Sequence, residues 1–228
     1  MRYELLEKPD FTMVKVTFDA PGEQMLCESQ AMVARHSGVD MKTQMQGGFL
    51  NAMKRKMLGG ESIFQNTFTA SQPGQTLYFA PGPEGDVQVQ ELQPGYPIFM
   101  NSGAFLGCAP SVTLDTKWQG ARGFFSGSGF FLLKAEGQGP LFFSCYGGIH
   151  AIDVGPGGYI VDTGHVVAFT AGLSYNVTRL GGLRSLAFSG EGLVCNFQGQ
   201  GRLWISTRNP SSLVSFVHPF RPVQPRSN

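Results

Sequence analysis

Four histidines carry the side chains best suited to metal binding or acid–base catalysis, but the sequence keeps them apart. They are His36, His150, His165 and His218, separated by more than 14 residues and without an HxH or HxxxH pattern. A zinc or related site needs several nitrogen, sulfur or carboxylate ligands close together. We therefore predict no metal site.

Two of these histidines have a carboxylate three residues away. The pairs are His150 with Asp153 and His165 with Asp162. Both lie where a predicted strand meets a turn, a position typical of surface or hydrogen-bonded side chains. We interpret them as turn residues and not as ligands or catalytic dyads.

Motifs for nucleophilic or phosphate chemistry are also missing. No Gly-x-Ser-x-Gly occurs in a strand–turn–helix context, and GxxxxGK[ST] is absent. Gly127-Ser128-Gly129 is a turn, and Glu61 and Glu191 take the place of Ser128 in two related segments. They could form an acidic pair, but turn carboxylates bonded to nearby N–H groups are the favoured interpretation. We predict a non-enzymatic protein without a cofactor.

The four cysteines are spread along the chain in apolar surroundings. Cys27, Cys108, Cys145 and Cys195 show no CxxC spacing, so small buried side chains are favoured over a metal or redox pair. The first eight residues contain no apolar signal-peptide core, and no apolar run reaches 18 residues. These features predict a soluble, cytoplasmic protein.

Composition limits the partners. The net charge is +1. This argues against a strongly electrostatic nucleic-acid surface, which usually needs clustered Lys and Arg. Charged residues make up only 14%, against roughly 25% in typical soluble domains, while the chain has 31 Gly and 19 Phe. We expect many short strands, and apolar surface covered by other copies of the chain in a homo-oligomer.

One strand–turn–strand pattern occurs three times, at 60–79, 127–143 and 190–206. Leu77, Leu141 and Leu203 take the same place in the three copies, 64 and 62 residues apart. Internal repeats of this length decide the architecture of a chain. We predict one domain over 1–228.

A second pattern precedes each copy. A glycine, an apolar strand and a polar turn follow one another at 22–29, 95–102 and 158–164. Together the two patterns predict three repeats, with a C-terminal tail after them. The repeats span approximately 11–93, 94–156 and 157–210, and the tail spans 211–228.

Further strands are predicted from side-chain type and alternation. Residues 11–18 are rich in β-branched and aromatic side chains, 25–36 can hold two strands around Glu28-Ser29-Gln30, and 39–46 alternates with period two. A short helix or strand is predicted at 212–218.

The best helix candidate is 48–57, which ends at Gly59-Gly60. Its polar side holds Lys54, Arg55 and Lys56, and the corresponding connections hold Arg122 and Arg184. We predict that these five residues form an interaction surface. A solvated helix face is the simplest interpretation, and contact with a membrane surface is the alternative.

The segments 59–70 and 182–210 resemble the family of the "altered inheritance of mitochondria" protein twenty-four, and the likeness covers nearly the whole chain. The resemblance implies a triplicated version of the fold of the tryptophan RNA-binding attenuation protein, a β-sandwich often grouped with double-stranded β-helices. The yeast member is associated with organisation of the mitochondrial inner membrane. We expect no transit peptide, so the mitochondrial location is not expected to carry over, and fold similarity transfers no binding residue.

These observations predict an all-β protein. Three pseudo-equivalent β-sandwich units surround an approximate threefold, with one short helix. The predicted function is a non-enzymatic scaffold or interaction protein that oligomerises, with unknown protein partners and peripheral membrane contact as a further expectation. The alternative is a protein that binds a small ligand or single-stranded RNA.

Overall fold

The computed structural model describes residues 1–45, 64–115, 132–179 and 193–221. Nearly all regular structure in these residues is β-strand. The strands are β1 Arg2–Leu6, β2 Met13–Thr17, β3 Gln24–Glu28, β4 Met32–Arg35, β5 Val39–Met45, β6 Phe64–Ala70, β7 Thr76–Phe79, β8 Val87–Leu92, β9 Ile98–Asn101, β10 Phe105–Cys108, β11 Val112–Asp115, β12 Leu132–Gly137, β13 Gly139–Ser144, β14 Ile149–Val154, β15 Tyr159–Asp162, β16 Val166–Thr170, β17 Leu173–Arg179, β18 Leu193–Gly199 and β19 Gly201–Ser206.

In the described part of the chain, the α-helix α1 spans Pro210–Val217 and begins at Asn209, whose side chain accepts a hydrogen bond from the Ser211 N–H. Short 3₁₀ turns lie at Ser102–Ala104, Thr163–His165 and His218–Phe220. The predicted helix at 48–57 lies outside the described residues. Within the described residues, no helix is both long and apolar enough to cross a bilayer.

The strand predictions around the first glycine pattern are confirmed. Residues 11–18 form β2, 25–36 form β3 and β4, and 39–46 form β5. Alternation accounts for β2, where Val14 and Val16 are fully buried and their neighbours are half-buried. Gly22, Gly95 and Gly158, the first residues of that pattern, all have positive φ, which only glycine adopts readily.

The strands form antiparallel sheets whose order repeats along the chain. The two six-stranded sheets are β5-β6-β3-β10-β13-β8 and β11-β12-β9-β16-β19-β14. Adding six to each strand number of the first sheet gives the second. Two smaller sheets, β1-β2-β7-β4 and β15-β18-β17, complete the described structure. The threefold arrangement of the units stays a prediction.

Each six-stranded sheet contains one pairing at its centre that joins an earlier and a later part of the chain. We call these two pairings, β3 with β10 and β9 with β16, the internal seams. In the first, Gly107 lies opposite Cys27; in the second, Ala168 lies opposite Met100.

The apolar side chains of these sheets collect in three clusters, and aromatic contacts cross between distant strands. Phe142 of β13 makes edge-to-face contacts with Phe79 and Tyr3, at centroid distances of 5.4 and 5.2 Å. Trp204 of β19 packs edge-on against Phe143 at 5.3 Å. The first two contacts lie within one cluster and the third lies within another, so each of these clusters joins strands that are far apart in the sequence.

Candidate functional site

The described structure has two features that could bind a partner: a pair of exposed sheet edges and a cleft. The edges are β4 and β15, which we call the open edges. Every residue of β4 is exposed, including Met32 at 37% and Val33 at 57%. In β15, Tyr159 and Ile160 are 47% and 60% exposed.

The open edges differ from the edge strands β5, β11 and β17 because the counterparts of the open edges are interior strands at the seams. By the six-strand step described above, β4 corresponds to β10 and β16. By the same step, β15 corresponds to β9 and β3. All four of these lie at the internal seams. By contrast, β5, β11 and β17 are edges in all three sheets that contain them.

The cleft has a volume of about 180 Å³. It is lined by segments that hold equivalent places in the strand order. Its walls include the residues that end β3 and β9, the 3₁₀ turn after β15, and the loops that follow β7, β13 and β19. Six of the lining residues are Glu28, Asn101, Gly164, Pro81, Tyr146 and Arg208. The cleft therefore collects segments that are far apart in the sequence.

Thiol chemistry in the described residues is suppressed by burial. Burial raises the pKa of Cys108, Cys145 and Cys195 to about 12 and the pKa of Cys27 well above its ordinary range. Cys145, at the edge of the cleft, donates to the carbonyl oxygens of Gly147 and Gly148 at 3.3 and 3.5 Å. A thiol that stays protonated is a poor nucleophile.

The two histidine–carboxylate pairs of the sequence do not come together. The His165 Nδ1 lies 2.8 Å from the carbonyl oxygen of Ser206, while Asp162 accepts from the Gly164 N–H at 2.7 Å. Asp153 binds the guanidinium of Arg202 at 2.8 and 3.2 Å. In residues 1–45, 64–115, 132–179 and 193–221, no group of three His, Cys, Asp or Glu side chains could hold a metal ion.

The predicted interaction surface lies outside the described residues. Lys54, Arg55 and Lys56 fall between β5 and β6, Arg122 between β11 and β12, and Arg184 between β17 and β18. Glu61 and Glu191 also lie outside them.

Sequence reasoning missed the residues that line the cleft. The signal was present, because the aligned glycine–strand–turn segments end in polar side chains at Glu28, Asn101 and Asp162. Arg208 lies at the end of the C-terminal segment that carries the family resemblance. Neither observation showed that these turns meet at one place.

Comparison with known proteins supports a single relationship. A family model described as "Mitochondrial biogenesis AIM24" matches residues 3–208. An uncharacterised protein of Streptococcus pyogenes serotype M6 is 27% identical over 231 residues, covering 97% of this chain and 92% of the relative. An X-ray crystal structure of a Streptococcus pyogenes protein, 26% identical, superposes with a TM-score of 0.80 over 96% of this chain and 99% of that one. The chain therefore belongs to the AIM24 family, as the sequence resemblance predicted.

Proposed function

We propose that this protein is a non-enzymatic scaffold that assembles head to tail, with β15 of one copy pairing to β4 of the next. The observation that carries the proposal is that β4 and β15 are exposed edges whose counterparts pair inside the chain. An unpaired edge presents a row of free backbone donors and acceptors, which a complementary strand can satisfy.

The internal seams supply the register of this pairing. In one seam Gly107 and Cys108 face Cys27 and Leu26. In the other seam, Ala168 and Phe169 face Met100 and Phe99 in the same way. The same register places Ala34 of one copy opposite Val161 of the next and Arg35 opposite Ile160.

Side-chain size at the open edges agrees with this register. A Cβ atom added to Gly107 would lie 2.9 Å from the carbonyl oxygen of Leu26, so the first seam requires a very small residue there. The second seam has Ala168 at the corresponding position, fully buried. On β4 the corresponding residue is Ala34, which is small although it is exposed.

The joined sheet would have seven strands in the order β17-β18-β15-β4-β7-β2-β1. Each copy would contribute one open edge to the copy before it and the other to the copy after it. Such contacts use two different surfaces, so they produce a closed ring or a filament according to the rotation between copies.

Exposed apolar side chains outside the open edges support assembly in general, without bearing on which strands pair. Phe11, just before β2, is 70% exposed. In α1, which follows β19, Val214 and Phe216 are 64% and 70% exposed. Apolar surface of this kind is typical of a contact that another subunit covers.

A charge exchange tests both the contact and its register. Ile160→Arg would place two guanidiniums opposite each other in the assembly, because Arg35 faces residue 160 of the neighbouring copy. Like charges directly opposite destabilise a strand pair. We expect Ile160→Arg to raise the dissociation constant about tenfold or more, measured by sedimentation velocity over a concentration series, and Arg35→Glu combined with Ile160→Arg to restore assembly.

The matched control is Thr113→Arg, an exposed position on β11, which is an edge with edge counterparts. This variant should assemble like the unchanged protein. A mass of 24.7 kDa at every concentration would contradict the proposal. So would assembly that is indifferent to all of these substitutions, or amide protection of β4 and β15 in a monomer.

A further inference from the structure

We propose that the cleft binds a small zwitterion, with the ligand's ammonium group against Glu28 and its carboxylate against Arg208. The proposal is independent of head-to-tail assembly. It rests on two opposite charges that share one cleft without pairing, and on an unsatisfied buried amide beside one of them.

Glu28 is a half-buried carboxylate without a partner among the described residues. Its side chain makes no hydrogen bond or ion pair with the described residues, and burial raises its pKa to about 7. The corresponding side chains behave differently, since Asn101 and Asp162 each accept a hydrogen bond from a turn N–H. A carboxylate removed from water without compensation is costly, and a ligand cation would provide that compensation.

Gln65 adds an independent sign of a missing partner. It lies directly across from Glu28 in the β3–β6 pairing, so the two side chains project from the same face of the sheet. Gln65 is only 2% exposed, and its Nε2 is the one buried side-chain donor without an acceptor in the part of the chain that the structure describes. Buried amide donors in native proteins are almost always satisfied by protein, water or ligand. Gln65 is not among the residues that line the cleft, so its unsatisfied amide marks the strand pair that carries Glu28 and not a wall of the site.

Arg208 supplies the positive charge of the cleft. It lies in the loop after β19 and forms no ion pair with any described residue, although Glu28 lines the same cleft. A guanidinium is well shaped for bidentate binding of a carboxylate. A molecule that carries both an ammonium and a carboxylate satisfies both walls, whereas a simple cation or anion leaves one charge unpaired.

The size of the cleft limits the ligand. Its volume of about 180 Å³ is well below the roughly 300–1,000 Å³ of sites for drug-sized molecules. Pro81, Pro83 and Tyr146 give it apolar walls suited to a short hydrocarbon portion. Free amino acids and 4-aminobutyrate are therefore the appropriate probes.

The experiment is a calorimetric titration of the full chain with individual L-amino acids and 4-aminobutyrate, compared with butyrate and butylamine. We expect at least one zwitterion to bind about tenfold more tightly than either singly charged compound. Glu28→Gln and Arg208→Gln should each weaken that binding about tenfold or more. Arg202→Gln is the matched control, because the Arg202 guanidinium is already bound by Asp153 outside the cleft.

The pH dependence gives a second readout. The affinity should rise between pH 6 and 8 as Glu28 ionises, and Glu28→Gln should remove the rise. The other titratable or charged groups at the cleft are Cys145, Tyr146 and Arg208, with His165 next to the lining residue Gly164. The Glu28→Gln variant separates the carboxylate from His165.

Several outcomes would overturn the proposal. They are the absence of binding by every zwitterion at millimolar concentration, equal binding of butylamine or butyrate, and binding that survives both cleft substitutions. A circular-dichroism spectrum and a melting temperature for each variant would show that loss of binding is not loss of folding.

Discussion

Strands β10 and β4 hold corresponding places in the strand order, but they have opposite surroundings. Leu106 of β10 is fully buried between β3 and β13, whereas Val33, its counterpart in β4, is 57% exposed. Both strands are mostly apolar, although β4 ends in Arg35. The difference shows that a neighbouring strand, and not residue type alone, decides whether an apolar strand becomes interior.

The largest expected effect comes from truncating this pair. Leu106→Ala should lower the free energy of unfolding by about 2–5 kcal/mol, because it leaves a cavity in a packed core. Val33→Ala should change it by no more than about 0.5 kcal/mol in dilute, unassembled protein. Urea unfolding followed by Trp fluorescence would measure both. Equal losses would mean that β4 is covered within the chain.

A smaller effect is expected from the small residues of the seam register. Gly107→Val should cost about 1–3 kcal/mol of unfolding free energy, since its Cβ would press on the Leu26 carbonyl oxygen. Ala34→Val should leave the unfolding free energy of the unassembled chain unchanged. The same substitution should weaken assembly. Parallel measurements of thermal unfolding at low concentration and of sedimentation at high concentration would separate the two. A Gly107→Val protein as stable as the unchanged chain would remove the argument from residue size.

The third effect, and the one that depends on pH, concerns Glu28 at the end of a paired strand. Its folded-state pKa of about 7 lies above its ordinary 4.5, so the folded protein binds more protons than the unfolded one between these values. Stability should therefore fall as pH rises from about 4.5 to about 7, and this group should contribute a loss of about 1–3 kcal/mol.

Glu28→Gln should remove that part of the pH profile, as measured by urea unfolding at pH 5, 6, 7 and 8. Asp153→Asn is a suitable control, because Asp153 lies in the exposed ion pair with Arg202. The Asp153→Asn variant should keep the fall in stability between pH 5 and 7. An identical profile in Glu28→Gln would show that the carboxylate is well solvated.

Much of the fold could be predicted from local patterns. Alternation at 39–46 predicts β5, and the aligned glycines predict the turns before β3, β9 and β15 because positive φ is a local requirement. The family was also predictable from the C-terminal segment. The helix at 48–57 and the basic interaction surface remain predictions.

The features that carry the two proposals could not be predicted in this way. The opposition of Gly107 and Cys27 across a seam, and the meeting of Glu28 with Arg208 at one cleft, depend on how distant strands pair. Local residue patterns carry no register between strands 80 residues or more apart. Only the assembled sheets show which apolar strand is left without a neighbour.

The buried cysteines give the molecule internal reporters of local opening. Cys27 and Cys108 lie on the two strands of the first internal seam, and Cys195 lies on β18, next to the open edge β15. A protected thiol reacts with an alkylating reagent only while it is transiently exposed. The labelling rate of each cysteine would therefore measure how often its region opens. Slow modification of the first two and faster modification of the third would reveal a gradient of rigidity along the chain, readable by mass spectrometry without introducing any label site.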